Sequence, residues 1–198
     1  MVSERREQSP RPEAVMRKVV VEAEVSLDGG MGGDNMDFWK QLFAFHSADV
    51  QQYLDELLLM PDALLMGRVT YAGFAQIWPT REGKMADRIN AMPKYVASRT
   101  LKEPLEWNAE LIQGDVAKAV EKLKQEPGKA LLQYGIGELT QTLLKHGLVD
   151  EFRLLVFPFV FGEGPRMFEH MGIHTLKLMD TQTFSSRVVA LRYQPAAV

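Results

Sequence analysis

Apolar and polar positions along the chain switch repeatedly between a period of two and a helical period, and the switches mark out strands alternating with helices. Lys18-Val-Val-Val-Glu-Ala-Glu-Val25 is rich in β-branched residues and predicts a strand. Ser26-Leu27-Asp28-Gly29-Gly30 ends it, and the glycines predict a mobile loop from Gly29 to Gly33. Ser47 is placed to cap a helix whose Val50, Leu54, Leu57 and Leu58 recur at helical spacing, and Pro61-Asp62 stops it. A short buried strand, Ala63-Leu-Leu-Met66, precedes a helix from Thr70 to Ile77, a strand Lys94-Tyr-Val-Ala97 and a helix from Asp115 with Val116, Val120 and Leu123 on one face. Ala130-Leu-Leu-Gln-Tyr134 predicts another strand. Gly135-Ile136-Gly137 then opens a helix with Leu139, Leu143 and Leu144 inward, Gly147 closes it, and Glu151 to Phe157 reads as a long strand.

Strands alternating with helices imply parallel pairing. The end of the chain differs, because Thr175 to Thr183 and Arg187 to Tyr193 alternate on either side of Phe184-Ser185-Ser186 and predict an antiparallel pair at the sheet edge. The expected fold is therefore α/β, with a mixed, mostly parallel central sheet flanked by helices and an antiparallel C-terminal strand pair. Residues 1–16 mix charges with Pro10 and Pro12 and predict a flexible N-terminal tail. No repeat or linker divides the rest, so residues 17–198 are expected to form one domain.

Composition narrows the function classes. A chain of 198 residues with 46% hydrophobic and 25% charged residues can bury a sizeable core. A formal net charge of -3 offers no basic surface for phosphates, so nucleic acid is not expected as a partner. Zero cysteines exclude disulfides, thiolate metal sites and a cysteine nucleophile, and fit a reducing cytoplasm. No apolar run approaches the roughly 18 to 20 residues of a membrane span, and the first residues lack a signal peptide's apolar core. A cytoplasmic protein without a membrane partner is expected.

Three strand ends carry the candidate chemistry: Gly67-Arg68-Val69-Thr70, Ser98-Arg99-Thr100 and Gly135-Ile136-Gly137. Open α/β sheets bind ligands at the carboxyl ends of their strands, where helix N-termini offer free N–H groups to phosphates, so the three together suggest a dinucleotide site. Gly67 lets the backbone approach closely, Arg68 adds charge, Thr70 adds a hydroxyl at a helix start, and Ser98 and Arg99 suit the extra adenosine phosphate of NADPH. Each segment alone also reads as an ordinary turn or cap. A Rossmann fingerprint is not matched, since Thr140 replaces the third glycine and the motif lies late in the chain. Asp28 at the loop and Asp49 at a helix start are the candidate carboxylates for steering a proton, and both also suit capping. Trp39 and Trp78 suit either the floor of a flat heterocycle site or the core. Glu169, His170 and His174 invite a metal reading, but Gly172 interrupts the helix that would align the histidines, so a surface loop and no metal are expected.

The string Asp62-Ala-Leu-Leu-Met-Gly67-Arg68-Val-Thr70-Tyr71, followed by Phe74 and Trp78, resembles the strand and Gly-Arg-x-Thr-aromatic turn of dihydrofolate reductases. Gly135-Ile-Gly137-Glu-Leu139, Leu143-Leu-Lys-His-Gly-Leu148-Val-Asp150-Glu151 and Pro158-Phe-Val-Phe-Gly162-Glu-Gly164-Pro-Arg-Met-Phe168 resemble the bacterial branch that includes the riboflavin-biosynthesis reductase (RibD C-terminal) domain. The resemblance runs in order from Lys18 to Tyr193. It implies a dihydrofolate reductase-like fold, NADPH as hydride donor, a small heterocyclic substrate that is pterin-like or resembles a riboflavin-pathway pyrimidine, and a homodimer. It implies that Gly67, Arg68 and Thr70 hold the cofactor phosphates, Ser98 and Arg99 the adenosine end, and Gly135, Ile136, Gly137, Glu138 and Leu139 the pyrophosphate and nicotinamide side, with Ser26 to Gly29 as the loop over the nicotinamide. Two departures stand out. The family's adjacent glycines appear as Gly135-Ile136-Gly137, and the helix carboxylate that orients a pterin has Asp49 as its nearest counterpart. The alternative is an NADPH-binding module without turnover.

Overall fold

The alternation of periods resolves into eight strands, β1 (Val19–Ser26), β2 (Pro61–Gly67), β3 (Lys94–Ala97), β4 (Ala109–Ile112), β5 (Ala130–Tyr134), β6 (Glu151–Phe157), β7 (Leu176–Thr183) and β8 (Val189–Pro195). They form one sheet of order β4-β3-β2-β5-β1-β6-β8-β7. The computed structural model describes residues 16–196, so the tail expected for residues 1–16 lies, Met16 apart, outside the described residues. Strands β1 to β6 pair in parallel, β8 runs antiparallel to β6 and β7 antiparallel to β8, as the α/β pattern predicts. The carboxyl ends of six strands consequently share one edge, with β2 and β5 at its centre.

Six helices connect the strands: α1 (Met36–Phe43), α2 (Ala48–Leu57), α3 (Arg68–Ile77), α4 (Lys84–Ala91), α5 (Val116–Gln125) and α6 (Glu138–Lys145). Period-two alternation in β1 sends Val19, Val21, Ala23 and Val25 to one face, against Val120 and Leu123 of α5 and Leu139 and Leu143 of α6. On the other face Val20, Leu64, Met66 and Leu132 meet Leu57, Leu58, Tyr71 and Ile89 of the helical layer. Phe38, Leu42, Val50 and Leu54 close a third cluster over Leu155, Phe157 and the hairpin residues Phe184 and Val188. Each such side chain contributes about 1.5–3 kcal/mol on full burial.

Three elements go beyond the expected pattern. Helix α1 buries only Phe38 and Leu42, and α4 only Ala86 and Ile89, so neither writes more than one repeat of a helical period into the sequence. The start of α1 is fixed by Asn35, whose side-chain oxygen accepts from Asp37 N and Phe38 N at 2.9 and 3.2 Å. Strand β4 has four residues and a single partner, β3.

The glycine loop is more firmly held than its composition predicts. Gly29 and Gly30 are buried, Gly30 N donates to Ser26 Oγ at 2.9 Å, and Met31 N and Met167 N bond to Pro165 O and Gly29 O, both at 2.9 Å. A Cβ at Gly32 would lie 2.4 Å from the Phe38 ring, so the close packing of loop on helix requires glycine there. No helix among the described residues is long and apolar enough to cross a membrane.

Candidate active site

Two strands end in helix N-termini at the centre of the carboxyl edge. Strand β2 passes into α3 with Gly67 as N-cap and no side chain satisfying the first N–H groups. Strand β5 turns through Gly135, at φ 76°, to Gly137 at the start of α6. β2 and β5 are neighbours, and Thr70 Oγ1 donates to Tyr134 O across the gap at 3.5 Å. Gln133 Nε2 braces the second turn by donating to Gly135 O at 3.0 Å and Thr140 Oγ1 at 2.5 Å, and Thr140 Oγ1 accepts from Gly137 N at 3.2 Å. Thr140 therefore caps the turn where a Rossmann motif would carry glycine.

Open space lies in front of both turns, since a Cβ added at Gly67 or Gly137 would meet no heavy atom within 4 Å. Arg68 is exposed and pairs with no carboxylate among the described residues. At the end of β3, Ser98 Oγ accepts from Thr100 N and Leu101 N at 3.1 and 3.0 Å, so this hydroxyl shapes its own turn. Arg99 reaches Glu138 Oε2 at 3.0 Å, but with side chains 88% and 86% exposed the pair is screened by water. Ile136 and Leu139 are buried in the core and leave only their backbone for a ligand. All the sequence-predicted cofactor residues thus share one edge. The uncapped start of α3, the start of α6 beyond the N–H held by Thr140, clearance at two glycines and an arginine without an ion pair among the described residues suit the pyrophosphate of a dinucleotide.

The two candidate carboxylates have other work. Asp28 accepts from Ser26 Oγ at 2.6 Å, Phe161 N at 3.0 Å and Gly162 N at 3.0 Å, while Arg166 Nη1 stands 3.3 Å away. The Ser26 hydroxyl foremost, then the Phe161 N–H, hold its carboxyl far below the usual aspartate range. Asp49 accepts from the Ser47 hydroxyl, from Ser185 N at 2.7 Å and from Ser185 Oγ at 2.9 Å, and these bonds, Ser47 first, bring its pKa down to about 2. These hydrogen bonds favour the ionised form of both carboxyls. Asp28 ties the glycine loop to residues 161–162, and Asp49 ties α2 to the β7–β8 turn.

A group that the sequence reading did not single out lies on β1. Glu22 is 2% exposed, its backbone carbonyl accepts from Gly135 N at 2.8 Å, and one of its carboxyl oxygens is buried without a partner. Burial first, and Glu24 second, push its carboxyl well above the usual glutamate range. Beside it in the register, the phenol of Tyr134 is raised by burial and then by Glu22 and Glu24. Glu24 Oε1 stands 3.4 Å from His46 Nε2, and the His46 ring stacks on Phe157 at 5.8 Å. Tyr134 meets Phe74 at 5.1 Å, and Phe74 meets Trp78 at 5.8 Å. Trp78 in turn lines a groove of about 390 Å³ together with Gln51, Asp55, Arg81 and Met85. Trp39 instead packs edge-on against Phe38 and donates to Gly33 O at 3.0 Å. The available signal was Glu22 and Glu24 themselves, because a central parallel strand covered on both faces is ordinarily apolar throughout.

Among the described residues no group of three histidines, aspartates or glutamates could hold a metal ion. His170 lies 3.5 Å from Glu169, and His174 Nε2 bonds to Met171 O, in the irregular segment before β7.

Comparison with known proteins agrees with the fold. The model of the RibD C-terminal domain family matches residues 17–190. The uncharacterized protein YyaP of Bacillus subtilis is 33% identical over 184 residues, covering 89% of this chain and 94% of YyaP. A solved protein of a Shewanella species, assigned to riboflavin biosynthesis, superimposes with a TM-score of 0.73 at 21% identity, over 91% of this chain and 99% of its own. The diaminohydroxyphosphoribosylaminopyrimidine deaminase/5-amino-6-(5-phosphoribosylamino)uracil reductase of Thermotoga maritima superimposes with a TM-score of 0.63 at 15% identity, over 91% of this chain and 57% of its own. The two solved structures are likenesses of fold.

Proposed function

Because the chain belongs to the RibD C-terminal domain family, we propose that it is a reductase that uses NADPH to deliver hydride to a small nitrogen heterocycle, pterin-like or pyrimidine-like. The observation that carries this reading is the meeting of Gly67-Arg68, Ser98-Arg99 and Gly135–Gly137 along one sheet edge, with open space before both helix starts. When bound, the dinucleotide supplies the hydride. This chain's own residues bind and orient it: the N–H groups at Gly67–Arg68 and of Glu138 take the pyrophosphate, Arg68 neutralises it, and Arg99 reads the adenosine phosphate once it leaves Glu138. The pyrimidine branch draws support from the uracil reductase activity in the name of the Thermotoga relative.

Calorimetric titration with NADPH and with NADH tests the reading. Selective micromolar or tighter NADPH binding is expected, followed by NADPH oxidation against one member of a pterin and pyrimidine panel. Absence of binding to either nucleotide overturns it. Binding without oxidation of any panel member would instead favour a nucleotide-binding module, a reading to which the occupied carboxylates of Asp28 and Asp49 lend weight. A homodimer is part of the proposal. The exposed edge strand β7, with Leu178 and Met179 at 48% and 39% exposure, offers a face for it, and light scattering coupled to size exclusion reads the mass directly.

A further inference from the structure

A buried acid without a partner costs stability, so its presence at the centre of a sheet calls for a reason. Glu22 is such an acid. Its neighbours supply no counter-charge: Glu24 precedes the end of the same strand, Tyr134 of β5 is a neutral phenol, and Arg153, its partner in the β6 register, is engaged by Glu151 at 2.6 Å. From the helical layer, Tyr53 of α2 faces Arg153, Glu22 and Glu151, and His46 stands against Glu24, 3.4 Å away. The backbone of Glu22 bonds directly to Gly135, the residue that opens the second phosphate turn. A residue so placed lies next to the ledge proposed for the cofactor, on the face where Tyr134, Phe74 and Trp78 lead out to the groove beside α2.

Resting on the reductase reading, we infer that Glu22 is the proton donor of this site: its buried carboxyl, one oxygen of which has no partner, belongs to the residue whose backbone holds the Gly135 turn, and it hands a proton to a ring nitrogen of the heterocycle whose adjacent carbon receives hydride. The balance is simple. The C=N π pair goes to nitrogen and takes the Glu22 proton, the carbon gains the hydride with its electron pair, NADPH becomes NADP⁺, and Glu22 is left as a carboxylate to be reprotonated from water. Burial keeps the resting proton on Glu22, and the Glu24 carboxyl two residues on adds to the effect. Asp28 and Asp49 instead accept backbone N–H groups of the loops they tie down, Phe161 and Ser185.

Infrared difference spectroscopy on the full chain with NADP⁺ tests the inference, with 2,4-diaminopyrimidine as a basic ring probe. At neutral pH the wild type should show a protonated carboxyl band that Glu22→Gln removes. Saturating diaminopyrimidine should convert that band to carboxylate as the proton moves to the ring, and Glu22→Gln should weaken the probe's binding at least about tenfold while leaving NADPH affinity unchanged. Glu22→Gln should also melt about 2–4 °C higher for each kcal/mol of relieved burial cost, a gain that a supporting structural acid would not give. The inference is overturned if no band assignable to Glu22 exists at neutral pH, or if the band survives the probe, whether the probe binds elsewhere or not at all. NADPH binding, measured separately, decides the reductase reading on its own.

Discussion

Arg68 stands beside an uncapped helix start with no carboxylate to hold it, an arrangement that leaves its full charge for a ligand. Arg68→Ala should weaken NADPH binding by about 1–3 kcal/mol, the worth of a charge-assisted hydrogen bond, with no change in melting temperature. Calorimetry and thermal melts check the two halves, and equal NADPH affinity would remove Arg68 from the site. Arg99 poses a different question, because Glu138 already neutralises it in a solvent-screened pair at 3.0 Å. Arg99→Ala should erase the preference for NADPH over NADH. Glu138→Ala, by freeing the guanidinium and removing a carboxylate from the phosphate's path, should tighten NADPH several-fold at low salt, with the gain fading as salt rises. A Glu138→Ala variant that binds NADPH more weakly would show that the carboxylate itself contacts the cofactor.

At the scale of elements, strands and helices with several turns of pattern were legible and brief ones were not. Strand β5 and the helix of Val116, Val120 and Leu123 stand where the sequence puts them, since each carries several inward residues at one period. Helices α1 and α4 and strand β4 each place only two residues in the core, too few to set a period against the polar positions around them. The same limit hid Glu22: Val-Glu-Ala-Glu-Val reads as a strand with one wet face, and only the sheet order, with β5 and β6 on either side and helices above and below, makes that face dry. The glycine turns that end β2 and β5 were legible because glycine marks a break between strand and helix. Gly67 has φ -78°, so neither strain nor contact opposes a methyl group at that position. Gly67→Ala should therefore fold with unchanged stability yet lose NADPH affinity, by crowding the approaching phosphate. Gly135 differs, since its φ of 76° makes an alanine cost about 1–2 kcal/mol in the fold itself. Melting curves beside binding isotherms separate the two cases, and loss of stability in Gly67→Ala would mean that the clearance belongs to folding.

The two edges of the sheet divide stability from chemistry across the whole molecule. At the amino edge charges are paired: Arg17 meets Asp62, and the largely buried Lys124 meets Asp150, whose carboxylate also accepts from Val19 N at 2.7 Å. At the carboxyl edge Arg68 stands open, and behind it, inside β1, Glu22 has a buried carboxyl oxygen without a partner. Asp150→Asn should accordingly cost about 2–3 kcal/mol by stranding the Lys124 ammonium, while NADPH affinity in the folded protein stays the same. The acids at and behind the carboxyl edge answer pH in opposite senses. Asp28 and Asp49 have folded-state pKa values below their unfolded ones, so their contribution is present above the ordinary aspartate pKa and is lost as pH falls. Glu22 has a raised folded-state pKa, so its contribution is present below the ordinary glutamate pKa and is lost as pH rises through the folded value. Scanning calorimetry from acid to alkaline pH should show stability declining at both ends. Glu22→Gln should flatten the decline on the rising-pH side and leave the acid side as it is, because it removes a buried carboxyl whose ionisation the fold opposes. An unchanged alkaline limb in that variant would mean that Glu22 ionises in the folded protein as readily as in the unfolded chain, and the division between a satisfied edge and a reactive one would lose its central residue.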